Sequence, residues 1–197
     1  MTGALRGFVA IAFAAAVLYG LQRTTPGYGD ITSPIRVTGK PGQRVEASAF
    51  SIVTGKVHLA RSVTFRSAGR GQALTTSGVW VLVEGTAEAR SESLGLTSAQ
   101  WLGPNGVRYA LSQRLSTAPG ILPAQRLEPG LPKPVLMAFE VPQGQLSGGT
   151  LLVARSAWTP LEEEVGITMT DIRPDDIRPF LVLARSEGAV PWTLNAQ

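Results

Sequence analysis

His58 is the single histidine in 197 residues, and cysteine is absent. Between them these counts remove several chemistries. A Ser-His-Asp triad would have to use His58, and no Gly-x-Ser-x-Gly nucleophile elbow occurs. A catalytic zinc site draws two or three ligands from His or Cys, and the chain offers one. Thiolate metal sites, disulfides and cysteine nucleophiles go with the missing cysteine. The parity of its segment puts His58 on a polar strand face, where an exposed, idle side chain is expected. Carboxylates cluster only at Glu162-Glu163-Glu164 and at Asp171 with Asp175-Asp176. Glycosidases and Mg²⁺ or Ca²⁺ sites need no histidine, but adjacent acids at a turn or strand end read as solvated charge.

Serine is abundant and Lys40, Lys56 and Lys133 are available, so a serine–lysine dyad is the enzyme reading that composition leaves open. No serine here stands in the motif of the membrane-anchored β-fold proteases that use such a dyad. Gly69-Arg70-Gly71 reads as a turn, not as a phosphate cradle. The sequence therefore assigns no catalytic, cofactor-binding or metal-binding residue. Tryptophans are the natural anchors for a binding partner. Trp80 belongs to an apolar strand and Trp192 packs the tail, whereas Trp101 and Trp158 are expected at partly exposed positions and are the candidate partner contacts.

The elements that would carry these residues are mostly strands. Val57, Leu59, Val63 and Phe65 alternate with polar neighbours. So do Val107, Tyr109, Leu111 and Leu115; Val135, Met137, Phe139 and Val141; and Val165, Ile167 and Met169. Val79-Trp80-Val81-Leu82-Val83 is apolar on both parities, as for a central strand covered on two sides. Turns fall at Lys40-Pro41-Gly42, Gly103-Pro104-Asn105-Gly106, Glu128-Pro129-Gly130 and Ser147-Gly148-Gly149. Between Leu115 and Pro134, five prolines mark a crossing from one sheet to another, with a short strand near Gln125 to Leu127. The pattern predicts an antiparallel β-sandwich of immunoglobulin type, with an open barrel as the alternative.

Net charge is +4, but Arg36, Lys40, Arg44, Lys56, Arg61, Arg66, Arg70 and Arg90 are scattered and no aromatic platform lies among them. A nucleic-acid partner is rejected on that ground. A basic surface facing an anionic membrane or cell wall fits better.

One segment is unlike the rest. Gly7 to Leu21 reads GFVAIAFAAAVLYGL without a charge, between Arg6 and Gln22-Arg23. Its apolar anchor residues are Gly7, Phe8, Val9, Ile11, Phe13, Val17, Leu18, Tyr19 and Leu21. The run is shorter than the ~20 residues that cross a hydrocarbon core, and Ala4 and Leu5 lengthen it if Arg6 snorkels. Tyr19 suits the far interface. Cleavage as a signal peptide would need small residues at the cut, and Leu18 stands badly for a cut after Gly20, so an uncleaved anchor is expected. Residues 1–23 are then the anchor, 24–33 a linker, 34–160 the sandwich, and 161–197 a C-terminal extension packed on the sandwich or docked elsewhere.

Residues 34–157 resemble the bacterial telokin-like immunoglobulin-fold domains, a family of mostly uncharacterised secreted or membrane-anchored proteins. The likeness rests on Val37-Thr38-Gly39-Lys40-Pro41-Gly42, on Val79–Val83, on Trp101-Leu102-Gly103-Pro104-Asn105-Gly106-Val107-Arg108-Tyr109, and on Leu127-Glu128-Pro129-Gly130 followed by Phe139-Glu140-Val141-Pro142. The chain departs from the family in lacking the usual acidic turn before Gly106 and in its tail after Pro160. The resemblance implies fold and no catalytic residue.

The expectation is a single-pass, membrane-anchored, non-enzymatic module, with its domain in the periplasm or cell exterior. It would touch lipid through the helix and a protein or envelope component through the domain, as an accessory subunit of a membrane assembly. The alternatives are an envelope hydrolase using serine–lysine or carboxylate chemistry, and a structural spacer or surface antigen.

Overall fold

The computed structural model describes residues 2–24, 33–67, 70–157 and 161–196. They form two units, 1–33 and 34–197. In the first, Thr2–Thr24 is one α-helix, α1. Its stretch Leu5–Thr24, 20 residues, is long and apolar enough to cross a membrane. Every anchor residue named above lies on it, and all of them are exposed. Near its end Arg23 folds back one turn and donates two hydrogen bonds to the Tyr19 hydroxyl, at 3.1 and 2.9 Å. The expected linker 24–33 falls largely outside the described residues.

The second unit is a β-sandwich. Its strands are β1 Ile35–Gly39, β2 Arg44–Glu46, β3 Phe50–Ser67, β4 Arg70–Ala89, β5 Leu94–Gly95, β6 Ser98–Leu102 and β7 Arg108–Ala110. After the proline-rich crossing come β8 Arg126–Leu127, β9 Lys133–Val141, β10 Thr150–Ala154, β11 Glu163–Thr168, β12 Ile177–Arg185 and β13 Trp192–Ala196. One sheet has the order β1-β11-β10-β6-β7; the other has β13-β12-β3-β4-β9, with β2 also paired to β3. Alternation explains the main core. Trp101, Leu151, Val153, Val165 and Ile167 of the first sheet meet Phe50, Ile52, Val79, Val81, Val83, Met137 and Phe139 of the second.

The second sheet also buries its other face, as the two-sided apolar run of β4 requires. Trp80 and Leu82 alternate with Val79, Val81 and Val83, and they join a separate core with Val63, Phe65, Leu74, Leu115, Ile121, Leu136, Ala138, Leu183 and Trp192. Val63, Phe65 and Leu74 of this core lie beyond the register shift between Ala60 and Ser62. Trp80 Nε1 donates to the Leu74 carbonyl at 2.8 Å across that shift. From the crossing segment, Arg114 lies 5.4 Å over the Trp80 ring and donates to Thr75 O and Glu140 Oε2, each at 2.9 Å. The proline-rich segment thus carries the chain from β7 in one sheet to β9 in the other, and its Leu115, Ala118 and Ile121 close the second core.

Three expectations change. Two strand pairs are parallel, β1 with β11 and β12 with β3, where an all-antiparallel sandwich was expected. The boundary at residue 160 is not a domain edge, because β11 sits between β1 and β10, and β12 pairs directly with β3. The sandwich therefore runs through the tail. Finally, Val57, Leu59, Val63 and Phe65 do not share one face. A register shift lies between Ala60 and Ser62, and across it residues of like parity pass from the main core to the second. An irregularity of this kind re-aims every side chain beyond it.

Candidate functional site

The residues singled out for chemistry are spread over the domain, and several of them hold strands or turns. Glu164 of the acidic run is buried on the outer face of the five-stranded sheet. Arg36 Nη2 of β1 donates to its Oε1 at 2.9 Å, and Arg108 Nη1 of β7 donates to its Oε2 at 2.9 Å. Arginines from both edge strands thus hold one carboxylate, which a glycosidase or cation site would need to keep free. Glu163 accepts from the Ser48 amide, and Asp176 accepts from the Arg173 amide at 3.2 Å as a turn cap. Lys133 Nζ donates to the Arg126 carbonyl at 2.9 Å. Among the described residues no group of three His, Cys, Asp or Glu side chains is placed to hold a metal ion.

His58 differs from expectation. It is half-buried and hydrogen-bonded to Glu84 of β4, its Nε2 against Oε1, with side-chain exposures of 21 % and 26 %. Its face is the one that carries Leu82 and Trp80, and the Glu84 partner on the neighbouring strand leaves no trace in the local alternation. His58 also lines a cleft of about 400 Å³ with Val57, Leu59, Asp171, Ile172, Asp175, Asp176 and Arg178. The two acidic clusters of the sequence are therefore kept apart, and only the second one meets the histidine.

Trp101 is not a surface contact. It is fully buried, its Nε1 donates to the Gln145 carbonyl at 3.0 Å, and its ring lies on the bare backbone of Gly149. A Cβ on Gly149 would come within 2.4 Å of that ring, so the glycine is what admits the indole. Replacing Trp101 by Ala should cost about 3–5 kcal/mol of stability, as for other buried tryptophans, read from the urea midpoint. A neutral result would return it to the surface. Trp158, the other expected contact, lies outside the described residues.

Sequence reasoning placed Trp192 only as packing for the tail, and it also walls a second cleft. That cleft, about 300 Å³, is bounded by Val53, Gly55, Lys56, Glu84, Gly85, Thr86, Pro134 and Val190 as well. Gly55 and Lys56 occupy the register shift between Thr54 and Val57, so the β3 wall of the cleft is an irregular piece of strand.

No family model and no curated protein matches the chain. Solved structures of similar fold include the two that follow. The yjhA protein from Bacillus subtilis is 15 % identical, with a TM-score of 0.48, over 65 % of this chain and 98 % of its own. An uncharacterized beta-sandwich protein from Clostridium difficile 630 is 11 % identical, with a TM-score of 0.42, over 71 % of this chain and 96 % of its own.

Proposed function

We propose that this chain is a membrane-anchored module whose β-sandwich lies outside the cytoplasm and binds a protein or envelope component, as an accessory subunit and without catalysis. One observation carries the reading: α1 presents Phe8, Ile11 and Phe13 at about 70 % exposure each, along a span long enough for a bilayer. Apolar surface of that extent needs lipid or another helix around it. Support for a binding role comes from the titratable groups. Glu164, Asp176 and Lys133 are committed to backbone and ion-pair contacts within the domain. The likeness of residues 34–157 to telokin-like immunoglobulin-fold domains belongs to the same reading.

The test is to express the full chain with a C-terminal tag, wash membranes with alkaline carbonate, and treat spheroplasts with protease. The tag should stay with the membranes and be digested from outside. A tag released by carbonate defeats the anchor, and a tag protected until lysis reverses the orientation. Purification in mild detergent that returns only isolated monomer counts against the binding role.

A further inference from the structure

The cleft beside Trp192 has the chemistry of a binding site. Trp192 is only 4 % exposed, and its buried Nε1 finds no acceptor among the described residues. Every other buried indole of known environment is satisfied: Trp80 by Leu74 O and Trp101 by Gln145 O. A buried donor left without a partner costs about 1–3 kcal/mol and calls for an explanation. The ring itself is firmly seated. Its Cε3–Cζ3 edge is pressed on Gly120, where an added Cβ would fall 2.0 Å from Cζ3. In an indole the nitrogen lies on the opposite long edge, so the N–H is turned away from Gly120, and the cleft is the open space that Trp192 borders.

Two further residues that carry donors, Lys56 and Thr86, line the same cleft, and both are exposed. The apolar walls are Val53, Pro134, Val190 and the indole. Glu84 is the one acid there, and its Oε1 is taken by His58. A small recess with apolar walls, bordered by three residues that carry donors, suits a carboxylate with a short branched tail. We propose that this cleft binds such a carboxylate, its oxygens accepting from Trp192 Nε1 and from Lys56, and its tail lying against Val190 and Pro134. Nε1 is shielded from bulk solvent, so a ligand reaches it only when the lining of the cleft gives way. The same chemistry is offered by a free branched-chain acid and by the C-terminus of a peptide ending in valine. The proposal stands independently of membrane attachment.

The test uses the full chain in detergent micelles, ¹⁵N-labelled, with the indole N–H signals followed during titration with isovalerate, with isovaleramide, and with the tripeptide Ala-Ala-Val. Trp192→Phe assigns its signal. A saturable shift of that signal with isovalerate or the tripeptide is expected, and which of the two binds more tightly identifies the source. Isovaleramide should bind about tenfold more weakly or worse, as loss of a charge-assisted bond implies. Lys56→Gln, an exposed substitution that leaves the fold intact, should weaken isovalerate or tripeptide binding to a similar degree. An unmoved Trp192 signal overturns the proposal. So does binding that Lys56→Gln leaves unchanged.

Discussion

A chain ending at residue 160 is expected to have no folded domain. The segment it loses looks like an appendage in sequence, yet it supplies β11, β12 and β13. Without β11, β1 has no partner in its sheet and β10 becomes an edge. The main core loses Val165, Ile167, Met169 and Ile172, and the rest of the sandwich loses Leu181, Leu183 and Trp192, all buried. At about 1.5–3 kcal/mol for each large apolar side chain, the loss is on the order of 10–20 kcal/mol. Whole domains are stable by only about 5–15 kcal/mol. The truncated chain should therefore show collapsed amide dispersion and no cooperative thermal transition. A truncated chain that still melts cooperatively would restore 161–197 to the status of an extension.

Introducing two carboxylates into the middle of α1, as Ala12→Asp with Ala15→Asp, should release the protein from membranes. A charged residue at the centre of a spanning helix costs about 2.5–3.5 kcal/mol on the insertion scale, so the pair costs about 5–7 kcal/mol. That is a shift of several powers of ten in the insertion equilibrium. Both positions are exposed in the helix, so neither change disturbs packing within the domain. The double variant should appear in the carbonate-soluble fraction, whereas Ala12→Leu with Ala15→Leu should remain bound. Retention of the aspartate variant would mean that something other than the helix holds the chain to the membrane.

The sandwich and the apolar helix were legible in the sequence, the one as period-2 alternation and the other as a long run without a charge. Val79 to Val83 announces burial on both faces, and both cores receive it. Val135, Met137, Phe139 and Val141 announce one face, and all four reach the main core. Partners were not legible. Period-2 alternation says which way a side chain points and is silent on which strand lies alongside, so the parallel pairs β1–β11 and β3–β12 left no trace. The shift between Ala60 and Ser62 was hidden for a related reason, since a bulge changes faces without altering the residue pattern on either side. Trp101 was misjudged because its seat, Gly149, lies far away in sequence. Asp171, Asp175 and Asp176 are exposed as read, but Glu164 was misread as solvated because its partners Arg36 and Arg108 come from distant strands.

The parallel pairing of β1 has a mechanical meaning. The chain coming from the anchor enters the domain at β1, whose five residues Ile35 to Gly39 run in register with Glu163 to Ile167 of β11. A pull directed along that strand slides one ladder past the other, so the rungs bear the load together instead of parting in turn. The Arg36–Glu164 ion pair crosses the same joint. Resistance to forced unfolding is governed by the unfolding rate, which such a joint lowers. The strand that resists a pull on β1 comes from the C-terminal tail.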